Sequence, residues 1–267
     1  MSVQQLDTER ILLAKRERLR ERQRKVPAAA VLRLAEMQKA PYPLLNVVTG
    51  GEYVTLLGQV TYSEVYDPVG SALHLVRAGV DAIAFFTDTH VTDTGLDDLL
   101  LVSRGIRRPV LYQNYVLDEY HVAETRAAGA AAVTLYASLL EPETLRRTVS
   151  IALRWRMATV VQVETREQIA LVAELSPHAI AVGNPHQFDT AHDLALLETL
   201  RPHMPRYTQV MLLGGLTHID HVMAALDQRV DALMLTSALL DHPDHMTTIT
   251  SSATSSCRGT RLLRKPA

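Results

Sequence analysis

Two stretches in the carboxyl-terminal quarter of the chain have the residue types an anion site needs. Leu213-Gly214-Gly215-Leu216-Thr217-His218 places two adjacent glycines where backbone amides can approach a ligand. Thr236-Ser237-Ala238 places two hydroxyls at the start of a short helix, whose N-terminus favours negative charge. Gly214, Gly215, Thr236 and Ser237 therefore read as a phosphate-binding set. A purely structural reading stands beside it, because glycine is common between a strand and a helix and Thr-Ser is an ordinary helix cap.

A second group consists of polar residues closing apolar runs. Gln59, Thr61, Gln113 and Gln162 end three such runs and Asn184 follows a fourth. A buried amide without partners costs about 1–3 kcal/mol, so these side chains face a ligand or join one another in a hydrogen-bonded plug. His90, His186 and His218 follow further runs, and imidazole is the side chain that titrates naturally near neutral pH. One of them could act as an acid or base, with Glu64, Tyr66 and Asp67 as neighbouring carboxylate and phenol candidates. A zinc site is not expected, since the three histidines lack the paired spacing on one helix that would support it. No cofactor is expected either.

The lysines are Lys15, Lys25, Lys39 and Lys265, against 23 arginines, so positions 40–264 contain none. Chemistry that needs a lysine Schiff base or lysine acid in that stretch is excluded.

Short β-rich runs alternate with helical patterns and must position these residues. The strands are expected at Tyr53–Val60, Ala82–Phe86, Val110–Gln113, Ala132–Tyr136, Thr159–Val163, Ala179–Val182, Gln209–Leu213 and Ala232–Leu235. Strands too apolar to face water on either side imply a parallel sheet covered by helices. Closure into an α/β (β/α)8 barrel is the most economical arrangement. An open doubly wound sheet is the alternative, and it lacks a Gly-rich dinucleotide turn after the first strand. Residues 1–40 form an N-terminal extension of two extra helices, 41–244 the barrel, and 245–267, rich in Ser and Thr, a flexible tail. In such a barrel ligands sit beyond the carboxyl ends of the strands, where the candidate residues lie.

Composition narrows the function classes. The chain has 267 residues, 47% hydrophobic, a net charge of −2 and one cysteine, Cys257, which rules out an internal disulfide and a cysteine zinc site. Neither a membrane span nor a secretory start is visible, so a cytoplasmic protein is expected. Residues 9–25 carry eight basic and three acidic groups, but without interleaved aromatics and with arginines wrapping the whole helix. That segment reads as a solvated or barrel-capping helix, not a nucleic-acid surface.

The stretch from Arg108 to Leu135, RPVLYQNYVLDEYHVAETRAAGAAAVTL, resembles the strand-three to strand-four signature of indole-3-glycerol-phosphate synthases. The resemblance extends to the arginine-rich first helix, AGVDAIAFFTD at 78–88, Val161-Gln162-Val163, Asn184 with Thr190, and Gly215 with Thr236-Ser237. It implies a TIM barrel of tryptophan biosynthesis, a carboxy-lyase that closes an indole ring on a carboxyphenylamino deoxyribulose phosphate with loss of carbon dioxide and water. Ring closure needs protonation of a carbonyl oxygen, and dehydration needs an acid and a base. The family supplies these with lysines on strands one and three and glutamates on strands one, five and seven. The matching positions here are Thr61 and Gln113, and Gln59, Gln162 and Leu213. Asn184, Gly215 and Ser237 match the family, while His186 stands where an arginine is usual.

Two readings follow. In one, the chain keeps a phosphate-binding frame for a phosphorylated or aromatic ligand, with a protein partner left open, and lacks the family's chemistry. In the other it is a working enzyme, the synthase itself or a different phosphosugar enzyme, using His, Asp or Glu residues of the mouth.

Overall fold

The computed structural model describes residues 3–44, 54–61, 67–86, 95–183 and 189–256. Two helices, α1 (Val3–Lys25) and α2 (Ala28–Met37), precede the barrel. There follow β1 (Thr55–Thr61), α3 (Pro68–Ala78), β2 (Ala82–Phe86), α4 (Gly95–Gly105), β3 (Val110–Tyr112), α5 (Glu119–Ala127) and β4 (Ala132–Tyr136). The second half contains α6 (Pro142–Arg154), β5 (Ala158–Gln162), α7 (Arg166–Leu175), β6 (Ala179–Val182), α8 (Thr190–Leu200) and β7 (Gln209–Leu216). It ends with α9 (Ile219–Asp227), β8 (Ala232–Leu235), the single turn α10 (Ser237–Leu240) and α11 (Pro243–Ser256).

The strands close in sequence order, with β8 pairing parallel to β1 at Thr55↔Ala232 and Leu57↔Met234. This is the expected (β/α)8 barrel with two extra N-terminal helices. Period-two alternation sends Leu56, Ile83, Phe85, Val133, Leu135 and Val161 outward into the helix layer. The inward set is small: half of its fourteen members are alanines, among them Ala82, Ala84, Ala132 and Ala158, and the space is filled by Leu57, Leu111, Met211 and Met234. Leu44, ahead of β1, joins the same interior cluster and is buried.

Local chemistry sets the element starts. Asp118, Thr165 and Asp189 each accept a hydrogen bond from the amide three residues on, capping α5, α7 and α8. Buried Asp81 and Asp231 stitch neighbouring strand starts, accepting from Leu56 N at 3.0 Å and Val210 N at 2.8 Å.

Two expectations are corrected. Residues 245–256 are not a free tail but continue α11, which packs against α9 and buries Ile249 completely in the barrel's outer core. The apolar pair Met246 and Ile249, one turn apart, is enough to dock a helix of otherwise weak propensity. Residues 257–267 lie outside the described residues. In addition, β7 does not stop at Leu213 but runs to Leu216 through a register shift that contains Gly214 and Gly215. No helix among the described residues is long and apolar enough to cross a membrane.

Candidate functional site

At the carboxyl ends of the strands, one inward residue from each odd-numbered strand stands two positions beyond the apolar interior. These are Gln59 after Leu57, Gln113 after Leu111, Gln162 after Val160 and Leu213 after Met211. They form the layer of four from alternate strands that this barrel geometry generates. All are buried, with Gln59 the most exposed at 3%. Thr61, one step farther along β1, sits at the exposed rim.

The layer is only partly a plug. Gln113 Nε2 donates to the Leu213 carbonyl across the barrel at 3.3 Å, and Gln162 Nε2 donates to Glu164 Oε1 at 3.2 Å. Among the described residues neither amide atom of Gln59 has a partner, nor have Gln113 Oε1, Gln162 Oε1, Asn114 Oδ1 and Thr134 Oγ1. Polar atoms gathered unsatisfied at one end of an apolar barrel fit a polar ligand better than a closed lid.

Gly214 and Gly215 adjoin this layer. A Cβ on Gly214 would collide with the buried Asp193 carboxylate, and a Cβ on Gly215 would lie 2.7 Å from Gln59 Oε1 and 3.0 Å from Thr236 Cγ2. Both glycines are therefore required by close packing within a bulge, a feature that recurs beside active sites. Thr236 Oγ1 donates to Leu216 O at 3.0 Å and so ties β8 to β7, while Ser237 and Ala238 are exposed on the first turn of α10. The four residues read as a phosphate set are thus brought together beside Gln59.

Other candidates separate. Asp67 caps α3, accepting from Gly70 N at 2.8 Å, which accounts for it structurally. His218 is exposed at the start of α9 with its ring edge-on to His221 at 5.6 Å. Glu64, Tyr66, His90, Asn184 and His186 lie outside the described residues.

Two charged groups at the mouth were not anticipated. Helix α1 crosses the β3–β4 side, where Leu12 packs with Tyr115 and Tyr136, and it carries Lys15, whose Nζ donates to Tyr115 O at 3.2 Å. The exclusion of lysine from positions 40–264 holds, yet the capping helix brings one to the rim from outside the barrel sequence. Glu164, two residues past Gln162, adds an exposed carboxylate. His121, beneath Tyr112, is held well below the ordinary imidazole range by burial, with Lys15 and Arg22 adding to the effect, and is neutral.

The family model described as indole-3-glycerol phosphate synthase matches residues 8–251. Among curated relatives, the indole-3-glycerol phosphate synthase of Dehalococcoides mccartyi strain BAV1 is 28% identical over 244 residues, covering 86% of this chain and 93% of that protein. The Roseiflexus protein of the same name is 26% identical over 253 residues, covering 88% and 93%. Among solved structures, 3-hexulose-6-phosphate synthase from Salmonella typhimurium superposes with a TM-score of 0.60 at 17% identity, covering 77% of this chain and 99% of that one, a likeness of fold.

Proposed function

The chain belongs to the indole-3-glycerol phosphate synthase family, and on that premise we propose that it is a phosphate-ligand-binding barrel of that family without the family's standard turnover. The observation that carries this reading is the layer Gln59, Gln113, Gln162 and Leu213, where the family resemblance expects two glutamates at Gln59 and Gln162, a lysine at Gln113 and a glutamate at Leu213. An amide can hydrogen-bond a carbonyl or hydroxyl but has no proton to donate at a useful pKa and no charge to stabilise an oxyanion. Gln59 and Gln113 orient the sugar chain, and its phosphate meets Gly215, Thr236 and the exposed residues Ser237 and Ala238 at the first turn of α10. Proton transfer to the carbonyl oxygen has no carrier in this layer.

The test is formation of indole-3-glycerol phosphate by the purified chain, paired with growth of a tryptophan auxotroph lacking the synthase. No product and no growth are expected, and robust growth overturns the reading. Restoring the family residues in a Thr61→Lys, Gln113→Lys, Gln162→Glu variant is expected to raise product formation at least about tenfold, given the 10²–10⁴-fold typical of a positioned acid or base.

Lys15 and Glu164 support a second reading, in which α1 and the β5 loop supply substitute proton carriers. Under that reading the native chain turns over, and Lys15→Met or Glu164→Gln abolishes the rate.

A further inference from the structure

We propose a second ligand site, independent of the reading above, at the opposite face of the barrel, for a small molecule of the nucleoside polyphosphate class. A cavity of about 850 Å³ opens between the chain that leaves α2, the end of α4 and the turn into β3. Its size is within the range of small-molecule sites. Lys39, Arg104, Arg107, Arg108 and Arg126 line it, and no carboxylate does. A smaller cavity of about 280 Å³ shares Arg126 and adds Arg154 and Arg156, with Glu36 as its one carboxylate. Among the described residues none of these seven cations joins an ion pair.

Arg126 makes this a built site and not a solvated basic face. It is 4% exposed, its Nε is buried without a partner among the described residues, and burial lowers its pKa. Its Nη2 donates to Lys39 O at 2.6 Å and to Gln38 O at 3.3 Å, and Gln38 Nε2 returns a bond to Ala127 O at 2.5 Å. The wall of the cavity is therefore fixed before any ligand arrives. Arg156 holds a left-handed backbone, φ 58°, at a helix-to-strand turn where Gly79 and Gly129 do the same work elsewhere in the barrel. Ser176 and Arg229 adopt the same conformation at their own helix-to-strand turns, so for Arg156 the backbone fixes the position from which the side chain reaches the cavity.

The ligand class follows from what surrounds the cations. Leu34, Met37 and Tyr42 line the cavity and are 52%, 81% and 51% exposed, an apolar rim beside a cationic floor. Guanidinium groups match phosphate oxygens in pairs, and the Tyr42 ring offers a stacking face for a base. A bare polyphosphate would leave that rim unused.

Calorimetric titration of the full chain with ATP, and separately with pyrophosphate, tests the proposal. ATP is expected to bind saturably with a Kd below about 1 mM and more tightly than pyrophosphate. An Arg107→Ala, Arg108→Ala double variant, altered at exposed positions, should weaken ATP at least tenfold with its thermal melting unchanged. Tyr42→Ala should weaken ATP about tenfold and leave pyrophosphate unaffected. Ser237→Glu at the mouth should leave ATP binding intact. Absence of saturable ATP binding, insensitivity to the double variant, loss of binding in Ser237→Glu, or equal affinity for pyrophosphate each overturns the proposal. Tighter binding of single-stranded RNA through the same arginines also overturns it, in favour of a nucleic-acid surface.

Discussion

At the scale of single residues, Gln59 is the most telling case, because both polar atoms of its amide are buried without partners among the described residues. A shape-matched apolar replacement removes that desolvation cost and is often neutral or stabilising. Gln59→Met is accordingly expected to raise the urea midpoint, by the equivalent of up to about 1 kcal/mol, while weakening binding of a phosphosugar at the mouth. A fall of that size instead would mean that Gln59 belongs to an internally satisfied plug. Gly214→Ala goes the other way: the new methyl meets the Asp193 carboxylate, and about 1–3 kcal/mol of stability should be lost in the same assay. Gln59, Gln113 and Gln162 were legible in the sequence because a strand has period two, so a polar residue at the end of an apolar alternation announces its face. Arg126 carried no such signal: one arginine on a helix has no period to violate. Lys15 and Glu164 were missed for a related reason, since each reaches the mouth from a segment whose placement depends on tertiary packing.

At the scale of elements, α1 is held to the barrel by both polar and apolar contacts. Arg22 makes a bidentate pair with Glu124 at 2.8 and 3.1 Å, Gln23 donates to Asp118 at 2.7 Å, and Tyr120 donates to the Val26 carbonyl at 3.1 Å. Among the described side chains of α1 the buried apolar anchors are Leu12 and Leu19, at 8% and 5% exposure. Burial of two leucines with one largely buried ion pair supports docking, not independent stability. Leu12→Ala should therefore detach the first half of α1 locally: amide exchange would quicken across residues 9–18 while exchange in β4 and β5 stays unchanged. Protection retained in α1 would show that the polar contacts alone suffice. The eight strands were readable within a residue or three, because apolar runs buried on both faces leave little choice of type. The end of β7 was not, because paired glycines signal a turn unless the groups filling their missing side chains, Asp193 and Gln59, are known. α11 failed for the opposite reason: a Thr- and Ser-rich stretch lacks helix propensity, and only packing of Ile249 decides the matter.

At the scale of the molecule, a net charge of −2 conceals polarity along the barrel axis. The described inward layer at the mouth is neutral, whereas the opposite face gathers Lys39, Arg104, Arg107, Arg108, Arg126, Arg154 and Arg156. Acidification adds positive charge to a fold already arranged this way, and two histidines make folding oppose it. His121 is depressed well below its ordinary value by burial, then by Lys15 and Arg22, and His178 is depressed by burial while its Nδ1 accepts from Thr159 N at 3.0 Å. Each holds a proton less readily in the folded chain than in the unfolded one, where imidazole titrates near pH 6.5. The unfolded chain then binds more protons than the folded one, so stability is full above about pH 6.5 and falls as pH drops below it, by at most about 1.4 kcal/mol per pH unit for each histidine. Urea midpoints measured between pH 8 and 5 should stay level down to about pH 6.5 and then decline. A His178→Asn variant, which keeps an acceptor for Thr159 N, should decline less steeply than the native chain. An unchanged slope would place the acid sensitivity on groups other than His178.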